Sequence, residues 1–60
     1  MNEYIRKSIE LRIESLQAEI TDLEKTKSVL LNETAKKAIE LHLDNLEAEI
    51  YRLERELCSM

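Results

Sequence analysis

The sequence has no glycine, no proline, no tryptophan and no phenylalanine, and its 60 residues include one cysteine and one histidine. Tight turns draw on glycine and proline because they need a positive or a pre-set φ. Their absence excludes a β-rich or loop-rich domain and leaves long uninterrupted helices. The single cysteine, Cys58, cannot close an intramolecular disulfide, which fits a reducing interior; a bridge between two chains is the lesser alternative. No apolar run approaches the ~18 residues of a membrane span, and the N-terminus has no apolar signal-like core. With a net charge of −4 there is no bulk attraction to nucleic acid or anionic membranes, although a local basic patch could still bind either. These features predict a soluble, acidic, cytoplasmic protein.

What the chain does contain is repetition. Residues 2–25 laid over 32–55 without a gap match at 12 of 24 positions. The stretch from Asn2 to Leu11 reads NEYIRKSIEL, and that from Asn32 to Leu41 reads NETAKKAIEL. Similar heptads would agree at apolar positions by chance, but not also at Asn2/Asn32 and Leu11/Leu41. An internal duplication accounts for both.

Within each copy the apolar residues step by four and three, which defines a heptad seam. Ile13, Ile20, Leu43, Ile50 and Leu57 take position a. Ile9, Leu16, Leu23, Ile39, Leu46 and Leu53 take position d. Asn2 and Asn32 stand where each helix should begin, since an Asn side chain accepts an otherwise unpaired first-turn N–H. Glu3 and Glu33 then meet the positive helix end. The pattern predicts helices near 3–28 and 33–57 with a turn near 28–32, in one all-α domain spanning 1–60.

Chains this short bury a smaller share of their surface than larger domains do, and many need self-association. Two helices leave much of each seam residue open to water, and position e is charged or amide throughout, so the apolar stripe does not widen there. The predicted architecture is therefore an antiparallel hairpin that dimerises into an antiparallel four-helix bundle. The eleven seam residues form its dimer core.

Charge is unevenly distributed. Residues 13–24 and 38–51 hold eight acids and no lysine or arginine. An antiparallel hairpin thus predicts an uncompensated acidic waist, with Arg6, Lys7, Arg12, Arg52 and Arg55 at the open tip and Lys25, Lys27, Lys36 and Lys37 at the turn. Long cations usually solvate such ends. Arg6, Lys27 and Lys36 occupy position a, so the dry seam should close before either tip. Opposite the seam, Tyr4, Leu11 and Ala18 fall seven apart at position f, and Leu41 and Ala48 repeat the last two. Isolated surface leucines are ordinary. The functional reading makes Leu11 and Leu41, with Tyr4 and Tyr51, a docking patch for a protein partner.

Catalytic groupings are missing. His42 has no Glu three residues earlier, as the Glu-x-x-His unit of di-metal bundles requires, and stands where the first copy has Arg12. Cys58 falls at an expected frayed end, with Glu54 one turn back disfavouring a thiolate. There is no phosphate-binding glycine loop and no CxxC. A non-enzyme with no cofactor, no metal and no membrane role is expected: a homodimeric module that binds and regulates a protein. In size and hairpin plan the chain is similar to the plasmid RNA-binding modulator ROP, itself an example of an up-down bundle. That resemblance covers architecture only and implies the alternative of RNA binding, with Arg6, Lys7, Arg12, Arg52 and Arg55 as the candidate contacts. A purely structural oligomerisation element is the third reading.

Overall fold

A computed structural model describes residues 2–59. Helix α1 runs Glu3–Val29 and helix α2 runs Glu33–Ser59, so 93% of the described residues are helical, with no strand among them. Both helices begin at the expected asparagine. The Asn2 side chain accepts the Tyr4 amide at 2.8 Å, and that of Asn32 accepts the Ala35 amide at 3.0 Å. Each satisfies one of the orphan donors of a first turn.

The turn forms without glycine because it never enters the left-handed region. Leu30 leaves α1 in extended conformation, φ −80° and ψ 140°, while its amide donates to the Lys27 carbonyl at 3.2 Å. No described residue has positive φ. Leu30 continues the d series after Leu23 and is half-buried, so it extends the apolar layer into the turn. Helix α2 runs two residues beyond the expected end. Cys58 therefore sits within a helical turn rather than on a frayed tail, and its thiol is exposed.

The helices lie antiparallel in a rod of 47 × 15 × 10 Å. Ile13, Leu16, Leu43, Leu46 and Leu53 are buried, with Leu16 only 1% exposed. Ile9, Ile20, Leu23, Ile50 and Leu57 pack against this cluster while remaining half-buried, as does Ile39. The expectation that two helices leave much of each seam residue open to water is thus corrected for these five residues and holds for the other six. Leucines from facing helices meet in the middle of the rod and close the seam there without a second chain.

The duplication shows directly in the burial. Ile13 and Leu43 are both buried, as are Leu16 and Leu46; Ile20 and Ile50 are both half-buried, as are Ile9 and Ile39. Positions thirty apart have matching environments because an antiparallel pair of equivalent helices has an approximate twofold axis between them. Leu23 and Leu53 break the match, Leu53 being the more buried.

Candidate interaction surface

At 100° per residue, positions g, d, a and e run in that order across the side of a helix that meets its neighbour. An antiparallel hairpin therefore has one flank bordered by the g residues of both helices and another bordered by the e residues. The g flank is tied between the helices by one ion pair and one histidine–carboxylate contact. The Arg12 guanidinium reaches the Glu49 carboxylate at 3.2 Å, and His42 Nε2 lies 3.2 Å from Glu19 Oε2. These contacts are the same contact twice. Arg12 and His42 are equivalent in the repeat, and so are Glu19 and Glu49.

The e flank is different in kind. Its rim is Glu10, Gln17 and Glu24 on α1 with Glu40, Glu47 and Glu54 on α2, all exposed. Two of these carboxylates have cationic partners: Lys27, at position a, reaches Glu40 at 3.2 Å, and Arg6 lies 3.9 Å from Glu10. Glu24, Glu47 and Glu54 form no ion pair among the described residues. The expected uncompensated waist is corrected to this extent. Arg12 and Lys27 lie outside it in sequence, yet the antiparallel arrangement sets them beside Glu49 and Glu40.

The apolar residues opposite the seam are exposed as expected, Leu11 at 62% and Leu41 at 64%, together with Tyr4 and Tyr51. They are not brought together. Position f points away from the neighbouring helix, so Tyr4 and Leu11 lie on the outer edge of α1 and Leu41 on the opposite edge, that of α2. Two sites the sequence reading passed over are the exposed Val29 and Leu31 flanking the turn. Their signal was present as three apolar residues in a row, where heptad spacing allows only one to enter the seam.

The five candidate nucleic-acid contacts share the open end of the rod but not a face. Arg6, Lys7, Arg12, Arg52 and Arg55 occupy positions a, b, g, c and f, which spreads them round the circumference. Arg6 and Arg12 hold carboxylates as described, and Arg52 reaches Glu56 at 3.3 Å. The Arg55 guanidinium lies 5.9 Å from the Tyr51 ring centroid, within cation–π range. Beside it Tyr51, Arg52, Arg55, Glu56, Cys58 and Ser59 border an open depression of about 600 Å³, all from one helix and with no opposing wall.

Comparison with protein-family models, with curated proteins and with solved structures gives no match. The similarity to ROP therefore stays one of size and hairpin plan. No helix among the described residues is long and apolar enough to cross a membrane.

Proposed function

We propose that this chain is a non-catalytic interaction module that takes up helices from outside to finish its core, that it does so with a second copy as an antiparallel four-helix bundle, and that the module regulates a protein partner. The observation that carries this is its surface. Surface scales with mass so that a compact 7.1 kDa monomer exposes about 4,100 Å², whereas this chain exposes 4757 Å². The excess belongs to the rod shape, one helix thick, with six of the eleven seam residues half-open. A broad face of 47 × 15 Å projects about 700 Å², close to the roughly 800 Å² per partner of a stable interface.

Sedimentation equilibrium from about 1 to 200 μM tests the reading. The expected result is a reversible dimer that Ile20→Glu/Ile50→Glu converts to monomer. A wild-type chain that stays monomeric across this range, melts cooperatively and captures no helix overturns it.

A further inference from the structure

We infer that the e flank of the hairpin is a docking groove for a basic amphipathic helix of another protein, which displaces a second copy of this chain from the same face. The inference rests on the reading that the hairpin completes its core with outside helices, and names the chemistry of the helix that fits best.

The two flanks differ in how their charges are paired rather than in apolar burial. Position d lies toward the g flank, where Leu16, Leu46 and Leu53 are buried beneath the Arg12–Glu49 and His42–Glu19 pairs. Position a lies toward the e flank. There Ile20, Ile50 and Leu57 are half-buried while Ile13 and Leu43, also at position a, are buried; on the other side Ile9, Leu23 and Ile39 at position d are half-buried too. A helix laid on the g flank would have to desolvate the Arg12–Glu49 ion pair and the His42–Glu19 contact, which costs more than their attraction returns unless every group is re-paired. Laid on the e flank it meets Ile20, Ile50 and Leu57 directly and leaves the rim in water.

The rim then selects the occupant. Glu47 and Glu54 form no ion pair among the described residues, nor does Glu24, although it borders a depression with Lys27 and Lys36; Glu14 and Asp44 stand one position further out. A homodimer joined by a twofold axis sets the same patch against itself, so acid rim would meet acid rim. Like charges across an interface suppress pairing, and complementary ones steer and hold it. An amphipathic helix with apolar residues at i, i+3, i+4 and i+7, and lysine or arginine on either side, satisfies the strip and the rim together. The 47 Å rod is long enough for about 20 residues of such a helix, ~30 Å. Self-association through this face then competes with partner binding and strengthens as salt screens the rim.

The test uses the full chain and labelled helical peptides of about 21 residues: one with a leucine stripe flanked by lysines, one with glutamates replacing the lysines, and one with the lysine peptide's composition scrambled. Fluorescence anisotropy at low salt should show the lysine peptide binding and the other two at least about tenfold weaker. Glu24→Lys/Glu47→Lys/Glu54→Lys, checked for helicity by circular dichroism, should lose at least about tenfold for the lysine peptide and gain the glutamate one. Equal binding of the scrambled peptide, or indifference to the triple reversal, overturns the inference. A wild-type dimer that binds none of the peptides overturns it and leaves self-assembly standing. A monomer that binds none of them removes both.

Discussion

Leu16→Ala is the sharpest test of where the stability of this hairpin resides. Leu16 is 1% exposed, the most buried side chain in the rod, and it packs among Ile13, Leu46 and Leu53. In thick cores that hold a cavity open, leucine-to-alanine changes cost about 2.7–5.0 kcal/mol. Here the seam is a single layer between two helices that can move closer, so the expected cost falls at the low end, about 2–3.5 kcal/mol. In a domain of this size each kcal/mol moves the thermal midpoint by roughly 4–8 °C, which predicts a drop of about 10–25 °C. Since small cores rarely supply more than ~3–5 kcal/mol, the variant should be close to unfolded at 37 °C. The assay is thermal and urea unfolding followed by circular dichroism at fixed chain concentration, because association would otherwise shift the midpoint. Leu46→Ala, thirty residues on, should behave alike; Leu11→Ala, at 62% exposure, should stay within about 0.5 kcal/mol of wild type. If Leu16→Ala costs no more than Leu11→Ala, the seam does not hold the helices together and the antiparallel register is wrong.

Three further outcomes are expected. Asn2→Ala and Asn32→Ala should each cost about 0.5–2 kcal/mol, with faster hydrogen exchange at the Tyr4 amide in the first and at the Ala35 amide in the second. His42→Arg gives Glu19 the permanently charged partner that Arg12 gives Glu49, and should stabilise by up to about 1 kcal/mol, an effect that disappears in 1 M salt. Leu11→Glu/Leu41→Glu should leave the sedimentation behaviour unchanged, because both residues point away from the seam and from each other; a changed oligomer would place position f within the assembly.

Heptad spacing and the two asparagines were enough to locate both helices to within two residues, because caps and apolar periodicity are local properties of the chain. The five buried residues all belong to the predicted seam for the same reason. What the sequence could not rank was burial within the seam. Ile20 and Leu16 look equivalent on a heptad, yet Leu16 closes and Ile20 does not, since each depends on what stands across from it. Ion pairing failed likewise. Arg12 and Glu49 are thirty-seven positions apart, and only the antiparallel register puts them together. Tyr4, Leu11 and Leu41, which share position f in the expected patch, illustrate the converse. A shared heptad position means a shared face on one helix, but on two antiparallel helices it means opposite edges.

The duplication also explains why the two flanks could come to differ. Two equivalent helices about a twofold axis place each g residue against the g of the other copy, and each e against e. One substitution therefore alters two contacts only if both copies carry it. At position g each copy sets a base seven residues before an acid, Arg12 before Glu19 and His42 before Glu49, so the axis matches acid with base and the flank closes. At position e every residue from Glu10 to Glu54 except Gln17 is a glutamate, so the same axis matches acid with acid away from Gln17. That flank is tied across only where Lys27 reaches Glu40, and Glu24, Glu47 and Glu54 form no ion pair among the described residues. Sequence symmetry thus pairs the rim of one side internally and leaves on the other the carboxylates against which the proposed basic helix would dock.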